Sequence, residues 1–223
     1  MSGEEGAGWT PRIAVDTDIL VKASCYGSAR LFWPGTLRIG VLGAARFVAP
    51  DAIRRKGTLR GAPMALADFD ALMLRASELE PTESEVSLAI ELETAAALSA
   101  MRLDTGESQL AAIVASRALD EFETGDKGGI AALEAVMDEV PAIAVLVARV
   151  RCLEQLVRMV ISTDEGLAAL NESVCSEPGV DAALTFCFSC SSGGGRSRLE
   201  VLQGVDSFTD ALRRAAPRVL ATS

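Results

Sequence analysis

The chain has 223 residues, 49% of them apolar and 23% charged, which is enough apolar material for one sizeable folded domain and excludes a wholly disordered chain. A formal net charge of -10 argues against nucleic-acid binding through a broad basic field. The absence of histidine excludes Ser-His-Asp catalysis, Cys-His pairs and histidine-based zinc centres, so any chemistry falls to carboxylates, lysine, cysteine or a bound metal.

Residues 1–11 are acidic, lack the apolar stretch of a signal peptide and read as a disordered tail. Arg12 to Val15 reads as a short buried strand ending at Asp16, with a helix following from Ile19. Asp16 then lies at a strand's carboxyl end, where open α/β sheets carry their ligands. Phe32-Trp33-Pro34-Gly35 is a break, after which Thr36 to Ala45 reads as a helix and Arg46 to Pro50 as a second short strand. Residues 51–63 are basic, contain Gly57, Gly61 and Pro63, and read as a loop or helix end. Met64 to Leu79 has helical spacing, and Thr82 with Glu85 forms a capping-box pattern opening a helix to Met101, so a long helical hairpin is expected.

Asp104-Thr105-Gly106 punctuates the chain, and Glu107-Ser108 opens the next helix. Leu119 to Phe122 reads as a strand, although Asp120, Glu121 and Glu123 make it polar for a buried one. Thr124 to Gly129 is a glycine-rich turn into a helix from Ile130 to Val140. Ala142 to Ile161 reads as one long helix, and its apolar part, Val140 to Val150, is too short to span a membrane. A helix follows from Glu165 to Val174, then a linker, Ser191 to Gly195, and a terminal helix from Ser197 to Ala216. Residues 12–140 thus read as an α/β domain and 141–223 as a helical C-terminal extension.

The five cysteines, at 25, 152, 175, 187 and 190, are an odd number without a signal peptide, which points to a reducing cytoplasm. Cys187-Phe188-Ser189-Cys190 has CxxC spacing, but with only one close pair two buried structural cysteines are favoured over zinc or redox use. Two basic clusters stand out: Arg54, Arg55, Lys56 and Arg60, and the late group Arg196, Arg198, Arg213, Arg214 and Arg218. Both read as solvated surface in preference to nucleic-acid contact.

Three acidic signatures carry the functional reading: Val15-Asp16-Thr17-Asp18, Asp104-Thr105-Gly106-Glu107-Ser108 and Thr124-Gly125-Asp126-Lys127. Carboxylate oxygens are hard ligands suited to magnesium or manganese, and such an ion activates water and stabilises charge developing on phosphate. Each part also has a plain structural use. Asp16 and Asp18 can cap a helix, Glu107 can favour a helix dipole, and Asp126 can serve a turn.

In these motifs the chain resembles the PIN-like nuclease superfamily. Its members open with an apolar strand ending in Asp-Thr-Asn or a variant, continue with an acidic residue at a helix start, often in a Gly-Glu context, and finish with a Thr-x-Asp element. The resemblance covers roughly residues 12–135. It implies a three-layer α/β fold with a short, mainly parallel sheet, and Mg2+- or Mn2+-dependent phosphodiester hydrolysis on RNA in preference to DNA. It further implies that Asp16, Glu107 and Asp126 hold the metal, with Asp104 as an accessory carboxylate. Asp104 or Asp18 completes the cluster, Thr17 and Thr124 orient ligands or water, and Lys127 meets a phosphate. A further family carboxylate after the second strand has no clean counterpart, with Glu78, Glu80, Glu91 and Glu93 all open. Many members are toxins restrained by an antitoxin or form dimers, so a protein partner or homodimer is implied. Two rival readings stand beside it: a catalytically silent protein-interaction module, and a haloacid-dehalogenase-like phosphatase using Asp16-Thr17-Asp18 and Gly125-Asp126.

Overall fold

Successive side chains of a strand point to opposite faces of a sheet, and here both faces are apolar. The computed structural model of the protein describes residues 11–35, 38–56, 59, 61–192 and 195–222. The tail expected over residues 1–11 lies outside them except for Pro11, which is buried. In chain order, β1 (Ile13–Val15) leads into α1 (Thr17–Cys25) and α2 (Ala29–Phe32), and β2 (Ile39–Leu42) into α3 (Ala45–Arg55) and α4 (Ala62–Met73). β3 (Ser77–Leu79) precedes α5 (Glu83–Leu98) and α6 (Thr105–Arg117), and β4 (Glu121–Glu123) precedes α7 (Lys127–Val136) and a 3-10 turn, Pro141–Leu146. β5 (Val150–Arg151) is followed by α8 (Leu153–Val160), α9 (Asp164–Ser176), α10 (Ala182–Cys187) and α11 (Arg198–Ala215).

The strands form one parallel sheet in the order β3-β2-β1-β4-β5. On one face Ile13, Val15, Ile39 and Val41 pack with α1, α3, α4 and α8 to α11. On the other, Ala14, Leu42, Leu79, Phe122 and Val150 pack with α5, α6 and α7. Period-two alternation in strands of two to four residues therefore feeds two cores, and the three-layer α/β architecture follows. The chain runs outward from β1 through β2 to β3, then returns to β4 on the other side of β1. The direction of winding reverses between β1 and β4, and a crevice opens there at the strands' carboxyl ends.

The second strand is Ile39–Leu42, not Arg46–Pro50, and it occupies part of the stretch expected to be helical; Thr36 lies outside the described residues. The two readings exchange because Ile39-Gly40-Val41-Leu42 is a continuous apolar run without helical or strand periodicity. Phe47 and Val48, which suit a strand by type, are 77% and 50% exposed on α3. The helix expected to reach Leu79 ends at Met73, and Ser77–Leu79 pairs with β2, a neighbour that its own single buried residue does not announce.

The long helix expected over Ala142 to Ile161 is instead the 3-10 turn, β5 and α8. The cause is distant in sequence. Ala148 and Val150 donate their N–H groups to the carbonyls of Arg218 and Val219 at 2.8 and 2.9 Å, and Ala221 donates to Val150 at 2.7 Å. The sheet therefore continues past residue 140, and the expected change of organisation there does not coincide with its edge.

β4 is as polar as its sequence reads, yet each group is accommodated. Phe122 is fully buried, Glu121 pairs with Arg151 at 2.7 Å, and Glu123 accepts the Trp33 indole N–H at 2.7 Å. Cys190 is joined to Cys175 in a disulfide, with Cα atoms 4.9 Å apart, while Cys187 is a buried free thiol. The CxxC residues thus have separate fates. Among the described residues, no helix is long and apolar enough to cross a membrane.

Candidate metal centre

Three helices begin at the crevice, and an aspartate caps each of them. Asp16 ends β1 and is the N-cap of α1, accepting from the Asp18 amide at 3.4 Å. Asp104 is the N-cap of α6, and its amide donates to Glu107 Oε2 at 3.4 Å. Asp126 caps α7, its Oδ1 accepting from Gly128 and Gly129 at 2.7 and 3.2 Å. The capping reading made from sequence holds for Asp16, whereas Asp104 and Asp126, read as punctuation and a turn residue, are caps as well. They also converge, because all three caps line one cleft of about 590 Å3 together with Asp18, Gly106, Glu107, Gly125, Lys127 and Gly128.

Asp104, Glu107 and Asp126 come closest, each offering a carboxylate oxygen within 4.8 Å of the others. Asp16 lines the same cleft but is not one of the three. The resemblance gave Asp104 an accessory part, and it is the N-cap of the helix that carries Glu107. Glu107 is buried and held from below: the Thr124 hydroxyl donates to its Oε1 at 3.0 Å and also accepts the Asp126 amide at 3.2 Å. Thr124 thus ties the Glu107 carboxylate to the backbone of Asp126. Thr17 lies at the start of α1 beside a neighbouring cavity.

The carboxyls carry the electrostatic signature of crowding. Burial, with the charges of Asp126 and Asp16 added, lifts the Glu107 carboxyl to about 7 against the bonds from Thr124 and Asp104. Burial lifts Asp16 to about 6, opposed by the Thr17 and Asp18 amides and helped by the charges of Asp18 and Asp126.

Two glycines make room for this crowding. A Cβ at Gly129 would lie 2.4 and 2.5 Å from the Glu107 oxygens, and one at Gly125 would lie 2.1 Å from Asp18 Oδ2. The turn's glycines were legible, but their reason, carboxylates arriving from other helices, was not.

Lys127 lines the cleft with its ammonium 2.5 Å from the buried Glu154 and 4.9 Å from the Phe208 ring centroid. Lys22, unremarked in the sequence, bridges Asp18 at 2.7 Å and Asp181 at 2.9 Å. Burial works against its charge, but those two carboxylates raise its pKa above the ordinary value. Glu78, Glu80, Glu91 and Glu93 do not line the cleft. Glu78 pairs with Arg46, and Glu93 accepts the Ser108 hydroxyl at 2.6 Å. The additional carboxylates of the cleft are Asp104 and Asp18.

No protein-family model, curated protein or solved structure matches this chain. An all-carboxylate donor set suits a hard, oxygen-preferring ion. In octahedral coordination oxygens on opposite sides of magnesium are about 4.2 Å apart and adjacent ones about 3 Å, so side-chain shifts of about 1 Å bring the trio into range. The residues present fit Mg2+ or Mn2+.

Proposed function

We propose that the cleft binds Mg2+ or Mn2+ and hydrolyses phosphodiester bonds in nucleic acid, with RNA favoured over DNA through the resemblance to PIN-like nucleases. One observation carries the reading: Asp104 and Glu107 at the start of α6 and Asp126 at the start of α7 bring oxygens within 4.8 Å of each other at the reversal point of a parallel sheet. A metal bound there supplies charge stabilisation for the phosphate and lowers the pKa of water. Asp104, Glu107 and Asp126 would hold it, with Thr124 fixing Glu107 through its hydroxyl and Asp126 through its backbone amide. Glu107 binds a cation only as a carboxylate, so loading the site near neutral pH releases a proton. In the reaction a water oxygen bonds to phosphorus as the P–O bond to one ribose breaks, and the proton lost by water is matched by one gained by the leaving oxygen. Asp16, at the cleft wall, is placed to hold that proton.

The test is melting with and without Mn2+, joined to cleavage of a fluorogenic single-stranded RNA and hydrolysis of 4-nitrophenyl phosphate. Mn2+ should raise the melting temperature and support RNA cleavage, and Glu107→Gln and Asp126→Asn should abolish both while remaining folded. Folded variants that cleave at the wild-type rate would falsify the assignment. Monoester hydrolysis without RNA cleavage would favour the phosphatase reading, and no metal response would favour a silent interaction module.

A further inference from the structure

A cleft lined by carboxylates in a chain of net charge -10 repels the polyanion assigned to it, so a strand needs positive charge close by. The cations at the cleft itself are already engaged. Lys22 is shared by Asp18 and Asp181, and Lys127 is paired with Glu154. Much of the late basic group is engaged as well: Arg218 with Glu134 and Asp138, Arg198 with Asp164, and Arg213 with the Ala221 carbonyl.

The end of α3 differs. Arg54 pairs with Asp51 at 2.9 Å, but Arg55 is exposed with no ion-pair partner among the described residues. Among the described residues, Lys56 meets a neutral acceptor, the Val180 carbonyl at 3.4 Å. Arg55 and Lys56 line a second cavity, of about 290 Å3, with Thr17, Asp18, Val21 and Ala52. Asp18 also lines the acidic cleft, so the two spaces share a wall. The Lys22 ammonium, 2.7 Å from Asp18 and 2.9 Å from Asp181, offsets part of the negative charge on that wall.

Basic residues in a last helical turn also complement the helix dipole, and Arg54 needs no other explanation. That role requires neither a cavity nor adjacency to the carboxylates. We propose that the Arg55–Lys56 cavity is a phosphate subsite holding the flanking backbone of a nucleic-acid strand whose scissile phosphate lies in the acidic cleft. This rests on the hydrolytic reading above and deepens it. A small phosphate ester fills only the cleft, whereas a strand spans both spaces, and this would select polymer over monomer.

The experiment uses the full chain and the variant Arg55→Gln/Lys56→Gln, with Arg54→Gln as the control. Binding of a fluorescein-labelled single-stranded RNA is followed by anisotropy without divalent metal. Hydrolysis of bis(4-nitrophenyl) phosphate, a small diester, is followed with Mn2+. The double variant should bind RNA about tenfold more weakly. Its slope of log K against log salt should be shallower by about 1.4, since each single-strand phosphate contact contributes about 0.7. Diester hydrolysis should stay within about twofold, and Arg54→Gln should match wild type in both assays. Unchanged RNA affinity and slope in the double variant, or no RNA binding by wild type, overturns the subsite. Weakened RNA binding with no diester hydrolysis by wild type supports the subsite and sinks the hydrolytic reading alone.

Discussion

Gly129→Ala tests whether the glycine-rich turn exists to admit Glu107. The added Cβ would lie 2.4, 2.5 and 2.6 Å from Oε2, Oε1 and Cδ of Glu107, whereas ordinary contact starts at 3.4 Å, so the carboxylate must retreat by about 1 Å. Retreat weakens its bonds to the Thr124 hydroxyl and the Asp104 amide, at about 1–3 kcal/mol for a buried carboxylate. Alanine in place of glycine within a helix returns up to about 1 kcal/mol. The net loss is therefore about 0–3 kcal/mol, and the variant should fold. Metal binding should suffer more, by at least about tenfold, because a supporting contact is displaced. At a Mn2+ concentration of about 100 Kd, wild type gains about 2.7 kcal/mol on loading, and a tenfold weaker site gains only about 1.4 kcal/mol. Gly106→Ala is the matched control, since its Cβ would come no nearer than 4.0 Å to Leu42 in the same cleft. Melting curves over a Mn2+ titration read the result. Equal Mn2+-dependent shifts in Gly129→Ala, Gly106→Ala and wild type would refute the reasoning.

The pH dependence follows from the raised carboxyls. Glu107 at about 7 and Asp16 at about 6 both lie above their ordinary values of 4.5 and 3.8. Their stabilisation is complete below those ordinary values and lost as pH rises through 6 to 7, by at most roughly 3 kcal/mol each. The metal-free melting temperature should fall between about pH 5 and 8, and Glu107→Gln should flatten the fall; a flat wild-type profile contradicts the crowding argument. The lowered carboxyls Glu85, Glu134 and Asp181 act below that window. Burial also lifts Glu123, to about 8, against the Trp33 hydrogen bond. In a Trp9→Phe background the Trp33 emission should therefore titrate with a midpoint near 8, and emission constant from pH 6 to 10 would count against that contact. Cys175→Ser should lower stability by about 3 kcal/mol, the value for a loop the size of the 15-residue separation from Cys190. A melting temperature unchanged by the substitution and by dithiothreitol would show that the bond contributes nothing in solution.

Elements whose signals are local were legible. Thr82 and Glu85 form the capping box that opens α5, and Ser197 with Glu200 does the same for α11, because a cap is decided within four residues. β1, the fall of Asp16 at its end and the helical start at Glu107 were legible for the same reason. β2, β3 and β5 were not, since strands of two to four residues are too short to display a period and are defined by the neighbour they pair with.

The residues of the site divide in the same way. By itself the sequence determined which groups are on offer: no histidine, and carboxylates placed at helix starts and turns. It also supplied Gly125 and Gly129, whose lack of a side chain leaves room beside them. Only the tertiary structure decided which carboxylates meet. The reversal of winding beside β1 brings the caps of α1, α6 and α7 together, with oxygens of Asp104, Glu107 and Asp126 within 4.8 Å of one another. It also gave Lys127 to Glu154 and Lys22 to Asp18 and Asp181, while leaving Arg55 without a counter-charge among the described residues. Ion pairing across a fold depends on distances that no stretch of sequence encodes, and it fixes which charges remain available to a ligand.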